Sequence, residues 1–340
     1  MPLKCTRFRK SMGFIGSGAL KMFKVLPWAW MAPCLVTGCG AVQAQTFPSK
    51  VVRIVTGGSG SNGDFASRLL AQGLTQALGQ QVIVENRPSG IILGDVVAKA
   101  PADGHTLLLT GSSFWLAPLL QNNVPWDPVR DFAPISLAAS SPNLVVVHPS
   151  LPVKSIRELA ALAKARPGEL NYASGTTGSM PHLAAELFKQ MARVNIVRIN
   201  YKGIGLAMTD TIGGQMQLMF PNAGGAAPHV KSGRLRALAV TTAQPTPLFP
   251  GVPTVASAGL AGYEVATLNG IFAPARTPQT VIDRLQQEFA KQLGLPEIRE
   301  KFQATGVDTI GSGPDQLAAA VKREINLFGK LMRDAGVRAE

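Results

Sequence analysis

Cysteine is almost absent from this chain: only Cys5, Cys34 and Cys39 occur among 340 residues, and all three precede residue 45. Beyond that point there is no disulfide staple, thiol nucleophile or Cys-ligated metal. Histidine is scarce as well, and His105, His148, His182 and His229 show neither metal-ligand spacing nor H-E-x-x-H. No G-x-S-x-G elbow marks a serine hydrolase. No apolar run reaches the roughly 20 residues needed to cross a bilayer. Charged residues make up 16% of the chain, below the usual share of about 25%. The densest basic patch, Lys231-Ser232-Gly233-Arg234-Leu235-Arg236, has no interleaved aromatics on which bases would stack, so no nucleic-acid partner is expected. What the chain does have is apolar residues, 46% of the total, enough at this length for about two domains with substantial cores.

Acid is missing from the first 44 residues, which hold six of the 33 basic ones: Lys4, Arg7, Arg9, Lys10, Lys21 and Lys24. An apolar run of about 14 residues follows from Val25, and Val42-Gln43-Ala44 then places small residues where signal peptidase reads them. Residues 1–44 therefore read as a secretory signal peptide, with the mature protein in the periplasm. Met22 is an alternative start, because Met22-Phe23-Lys24 already supplies a basic region. Val36-Thr37-Gly38-Cys39 offers a second reading as a lipobox with a lipid anchor on Cys39; cleavage after Ala44 is the expectation. Removing the leader leaves 27 basic and 20 acidic residues, so a net charge of +13 becomes +7. Six of the thirteen net charges that suggest an acidic macromolecule thus belong to the export signal.

Short apolar runs alternate with helical patterns along the rest of the chain, which points to an α/β protein with mostly parallel sheets flanked by helices. Candidate strands are 51–56, 81–85, 106–110, 144–148, 170–173, 215–220, 237–241 and 270–273. Leu70, Leu74 and Leu78 repeat at i+4 on a helix expected over 64–78. Ser155-Ile156-Arg157-Glu158 is a capping box, Thr277-Pro278 a helix start with Pro at the first position, and 314–332 a long final helix. Gly/Pro-rich stretches at 142–152 and 244–253 bracket a central block. The expected division is two lobes, 45–143 with 267–340 against 144–266, and a cleft between them.

Chemistry concentrates in two loops. After the first strand comes Thr56-Gly57-Gly58-Ser59-Gly60-Ser61-Asn62-Gly63-Asp64, leading directly into a helix. Glycines let backbone N–H groups approach a ligand, and the helix start adds about half a positive charge, so the segment is an anion cradle. It also satisfies G-x-G-x-x-G through Gly58, Gly60 and Gly63, with Glu85 about 20 residues on, which keeps a secreted nucleotide-binding oxidoreductase as the alternative. Against it, Asp64 puts negative charge where a pyrophosphate would sit; a plain turn with Asp64 as a cap beside Arg68 is the structural reading. The second loop, Ala173-Ser174-Gly175-Thr176-Thr177-Gly178-Ser179, precedes the helix holding His182 and Glu186. Its hydroxyls and amides bind a carboxylate without any fixed charge, or else merely cap that helix. Ser174 and Thr177 are expected to be exposed, so that replacing both costs little stability. Ser112, Ser113, Phe114 and Trp115 follow the third strand and are expected to line the cleft, Trp115 as an apolar wall or as core. Asp210 is read as a surface residue or a cleft contact for a cationic substituent.

Eight segments, in order, carry a resemblance to a known family. Phe47-Pro48-Ser49-Lys50-Val51-Val52-Arg53-Ile54-Val55, Val84-Glu85-Asn86-Arg87-Pro88, Asp103-Gly104-His105-Thr106-Leu107-Leu108 and Asp127-Pro128-Val129-Arg130-Asp131-Phe132-Ala133-Pro134 resemble the solute receptors of tripartite tricarboxylate transporters, the Bug family. Asn171-Tyr172-Ala173-Ser174-Gly175, Tyr201-Lys202-Gly203, the run from Gly233 to Thr241 and Val252-Pro253-Thr254-Val255 continue the likeness over residues 46–340. The resemblance implies a two-lobed periplasmic-binding-protein (Venus flytrap) fold with two crossings, no enzymatic activity and no cofactor. It implies a small organic carboxylate held between the loops, in a receptor expected to be a monomer that serves membrane permease subunits. On that mapping the ligand contacts are Gly57, Gly58, Ser59, Asn62 and Asp64 in the first loop, and Ser174, Thr176, Thr177 and Ser179 in the second. Where the family usually has Pro-Gly-Gly, this chain has Ser59-Gly60-Ser61; loss of the proline frees a φ angle and should loosen the unbound loop.

Overall fold

The computed structural model describes residues 47–337 apart from 60, 88 and 89; the leader, Met22, Cys39 and the Ala44 cleavage position lie outside the described residues. Eleven strands form two sheets among these residues. The first sheet contains β1 (Val52–Thr56), β2 (Val82–Asn86), β3 (Thr106–Gly111), β4 (Phe132–Pro142), β10 (Ala266–Pro274) and β11 (Asp308–Thr309) in the order β11-β4-β10-β3-β1-β2. The second contains β5 (Leu144–Val147), β6 (Asn171–Ser174), β7 (Val197–Asn200), β8 (Leu218–Met219) and β9 (Arg236–Val240) in the order β7-β6-β8-β5-β9. Both sheets lie within the single unit Gln45–Glu340.

Each sheet has a parallel core and antiparallel additions. β1 runs parallel to β2 and β3, and β6 runs parallel to β7 and β8. β10 is antiparallel to β3 and β4, and β5 to β8 and β9. β11 is antiparallel to β4. The chain passes between the sheets twice: β4 runs through Asn143 into β5, and β9 returns through 241–265 to β10. The crossings are tied together. Asn143 N donates to Thr241 Oγ1 at 3.0 Å, and the Thr241 hydroxyl donates to Val265 O at 2.7 Å. Ser141 Oγ, at the end of β4, donates to Gly306 O at 2.9 Å.

Local sequence explains most elements. β1 is apolar on both faces, with Val52, Ile54 and Val55 fully buried, as an internal parallel strand requires. The helix Asn62–Leu78 buries Leu70, Leu74 and Leu78 and stops at Gly79, whose φ of 67° is the left-handed C-cap conformation. It starts two residues before the expected Asp64, because Ser61 is the N-cap, its Oγ accepting from Asp64 N at 3.2 Å. The Ser155 capping bond to Glu158 N is present at 3.2 Å, but Glu158 reaches back to Lys154 N at 2.6 Å. Thr277 does not cap its helix: its hydroxyl donates to Pro274 O at 2.7 Å, and the helix begins at Gln279 after Pro278. β4, β7 and β11 lie outside the expected strands. β4 is rich in Ala, Ser and Pro and gains its strand character from pairing with β10 along nine positions.

The final helix Pro314–Asp334 packs on β4, on the helix Ser112–Leu120 and on the helix Met180–Ala192, which follows β6. One hydrophobic cluster consequently runs from Phe114 and Phe272 beside the first sheet to Tyr172 and Leu183 beside the second.

Candidate functional site

The first loop is braced from below. Asn86, at the end of β2, donates through Nδ2 to Gly57 O and to Asp64 Oδ1, both at 2.8 Å. Arg68 Nε donates to Asp64 Oδ1 at 2.8 Å, and its Nη2 donates to Asn86 Oδ1 at 2.8 Å. The buried Asp64 carboxylate is therefore engaged with the support of the loop, while Gly58, Ser59 and Asn62 are exposed. Gly63 is required for close approach, since a Cβ there would lie 2.6 Å from Thr56 Oγ1. Gly60 lies outside the described residues. Glu85, the acid of the dinucleotide fingerprint, is held between Arg53 and Arg87, which neutralise the charge that a ribose contact would use.

Beside this loop lies an open cleft of about 450 Å³, within the usual size range of small-molecule sites. Gly57, Asn62 and Gly63 line it together with Thr110 and Gly111 at the end of β3, and Ser113 and Phe114 from the helix Ser112–Leu120. Ser112 and Trp115 lie inside the protein. Ser112 Oγ accepts from Leu268 N at 3.1 Å, and Trp115 Nε1 donates to Glu324 Oε2 at 2.8 Å. Burial pushes the Glu324 carboxyl up to about 7, despite the opposing hydrogen bonds from Trp115 and Ser112.

The second loop is organised by a residue that sequence reasoning did not single out. Arg198, on β7, donates from Nε to Ser174 Oγ at 2.7 Å and from Nη1 to Thr177 Oγ1 at 3.0 Å. Its Nη2 donates to Gly175 O at 3.0 Å and to Asn200 Oδ1 at 2.9 Å. Ser174 is fully buried, contrary to the expected exposure, because the loop folds over this guanidinium. A fixed positive charge thus stands behind a loop whose own residues offer only amides and hydroxyls. Thr176 is exposed, and Ser179 is the N-cap of Met180–Ala192, its buried Oγ without a partner among the described residues. Gly178, with φ 77°, donates its N–H to His182 Nδ1 at 3.0 Å. Burial, reinforced by the Arg198 charge, holds His182 down at about 4, so it is neutral and accepts. Gly178 also lies against Leu120: a Cβ on it would fall 2.1 Å from Leu120 Cδ1. The second loop therefore sits next to the far end of the helix that lines the cleft, although no second-loop residue lines the cleft itself among the described residues.

Asp210 accepts from the Tyr201 hydroxyl at 2.7 Å, and burial together with this bond pushes that hydroxyl up to about 12. Among the described residues no group of three or more His, Cys, Asp and Glu could hold a metal ion, and no helix is long and apolar enough to cross a membrane.

Comparison with known proteins fits this geometry. The family model described as Tripartite tricarboxylate transporter family receptor matches residues 66–337. BugT of Bordetella pertussis (strain Tohama I) is 34% identical over 305 residues, spanning 87% of this chain and 93% of its own. A structure of an R. palustris protein with adipate has a TM-score of 0.73 at 34% identity and covers 86% of this chain and 100% of that one. MatC from Rhodopseudomonas palustris with bound malate has a TM-score of 0.69 at 27% identity, covering 84% and 99%.

Proposed function

Because this chain belongs to the tripartite tricarboxylate transporter receptor (Bug) family, whose members are non-catalytic solute receptors, we propose that it captures a small organic carboxylate in the cleft beside the first loop. The observation that carries this reading is the loop itself: Gly57, Asn62 and Gly63 open a helix N-terminus onto a cleft of ligand size that Ser113 also lines. In this reading Gly57, Gly58, Ser59 and Asn62 contact the anion, and Asp64 shapes the loop through Asn86 and Arg68. The second loop closes over the ligand. Because the Ser174 and Thr177 oxygens accept from Arg198, their hydroxyl hydrogens are turned toward other acceptors, and Thr177 has none among the described residues. A bound carboxylate would be that acceptor, with Thr176 and Ser179 beside it. Both relatives solved with acids, one with adipate and one with malate, support the ligand class.

The lobes would divide at 143/144 and 266/267 and close about the Asn143 and Thr241 crossings. Export by residues 1–44 with cleavage after Ala44 would place a monomeric receptor in the periplasm, where its closed form meets permease subunits. Mass spectrometry of the exported protein tests the leader: a mature chain beginning at Gln45 supports it, and a lipidated Cys39 overturns it. A thermal-shift screen of mono-, di- and tricarboxylates, aromatic acids and acidic amino acids tests ligand capture, since an acid at 100 times its Kd stabilises by about 2.7 kcal/mol. A dose-dependent rise with at least one acid is expected. A rise with NAD and none with any acid would overturn the proposal.

A further inference from the structure

Asn269, on β10, lines the cleft and is only 8% exposed, yet its carboxamide has no hydrogen-bond partner among the described residues. Neighbouring and comparable groups are engaged. The Thr56 hydroxyl, also at the cleft, donates to Leu109 O at 2.9 Å. Asn143, the other buried asparagine among the described residues, donates through Nδ2 to Phe220 O at 2.9 Å. Buried polar side chains are seldom left unpaired, so an amide that opens only onto a cleft points to what the cleft holds.

The sheet fixes where this amide stands. Asn269 pairs with Gly111 of β3 on one side and with Ala139 of β4 on the other, and Leu268 N, just before it, donates to Ser112 Oγ at 3.1 Å. Leu109 and Ile271 are also paired and belong to the hydrophobic cluster beneath the helix Asn62–Leu78. Gly111 and Asn269 lie two positions from them, on the same face of the sheet. The amide is therefore on the side that carries the first loop's helix. Gly111 keeps it uncovered, since a Cβ there would lie 3.5 Å from Asn269 Oδ1 and a longer side chain would lie across it.

We propose that Asn269 touches the ligand and sets specificity, its carboxamide reading a hydroxyl on the acid whose carboxylate the first loop holds. The proposal rests on the carboxylate reading given above. A carboxamide presents N–H donors and a C=O acceptor together. A carboxylate can accept from Nδ2 but has no proton for Oδ1, and an alkyl chain serves neither. A hydroxyl both donates and accepts. An acid without one displaces water from the amide and leaves it unpaired, which lowers affinity.

Titration calorimetry with acids matched except for one hydroxyl tests this: lactate with propionate, 3-hydroxybutyrate with butyrate, malate with succinate, and citrate with tricarballylate. In the tightest-bound pair the hydroxy acid should bind at least about fivefold more tightly. Asn269→Leu, close in size and without polar atoms, should bring that ratio near one. The ratio compares two ligands on one protein, so a general loss of stability in the variant cancels from it, and Asn269→Ala gives the same reading if the leucine does not fold. Hydroxy and deoxy acids bound alike by the unaltered protein, or a preference that survives the substitution, would overturn the inference while leaving carboxylate capture intact. Absence of binding by every acid in the set, together with silence in the wider screen, would overturn both.

Discussion

Arg198 Nε donates to Ser174 Oγ across 2.7 Å, joining two residues that are 24 apart in the chain and adjacent only because β7 pairs with β6. The bond makes the second loop a hydroxyl surface backed by a guanidinium. Arg198→Gln should weaken binding of the best acid about tenfold or more, since hydrogen bonds to charged groups contribute about 1.5–3 kcal/mol. Arg198→Lys should recover only part of the loss, because a lysine cannot reproduce the planar fork. Titration calorimetry at two salt concentrations checks both. Unchanged affinity in Arg198→Gln would show that the loop needs no charge behind it.

The paired change Ser174→Ala with Thr177→Ala should now cost stability as well as affinity. Ser174 is fully buried, so its removal leaves guanidinium N–H groups without acceptors, a loss of about 1–3 kcal/mol. Thermal or urea unfolding of the ligand-free protein reads this directly, and a change below about 0.5 kcal/mol would contradict it.

At the meeting of the lobes, a Cβ on Gly306 would lie 2.4 Å from Gly224 Cα, and one on Gly224 would lie 2.1 Å from Thr305 O. Gly306 also has φ 78°. Gly306→Ala should therefore destabilise by about 1–3 kcal/mol through strain and forced separation. Denaturant melts report the stability, and small-angle scattering reports the wider opening of the lobes. A variant as stable and compact as the parent would refute the close contact.

Glu324 should give stability an unusual pH dependence. Burial holds its folded carboxyl near 7, above the ordinary 4.5, so the folded state binds the extra proton between these values. Its contribution is complete below about 4.5 and falls as pH rises through 7, by about 3 kcal/mol in all. His182 acts in the opposite sense: its folded value near 4 lies below the ordinary 6.5, so its contribution is present above 6.5 and is lost as pH falls through 4. The two partly cancel between 4.5 and 6.5, which is why the informative comparison is Glu324→Gln against the parent. The variant should gain stability relative to the parent as pH rises from 5 to 8. A difference that does not vary with pH would contradict the assignment.

Much of the scaffold could be read in advance because its signals are local. An apolar strand, a glycine run and an i+4 leucine face together define β1, the first loop and the helix Asn62–Leu78. The residues that escaped are those whose roles depend on distant partners. Arg198 is an ordinary residue of a four-residue strand until β7 pairs with β6. Asp64 stands at a helix start, where a ligand contact is reasonable, until Asn86 on β2 and Arg68 take its carboxylate. Trp115 had equal claims to cleft and core, and Glu324, 209 residues away, accepts its indole N–H inside the protein. β4 lacks β-branched residues apart from Ile135 and is held as a strand by its neighbours.

The central claim is that a carboxylate is held at the first loop, and the crystal structure with the acid giving the largest thermal shift tests it most directly. The expected result is a carboxylate within hydrogen-bonding distance of the backbone N–H groups between Gly57 and Gly63. A carboxylate bound away from that loop would contradict it.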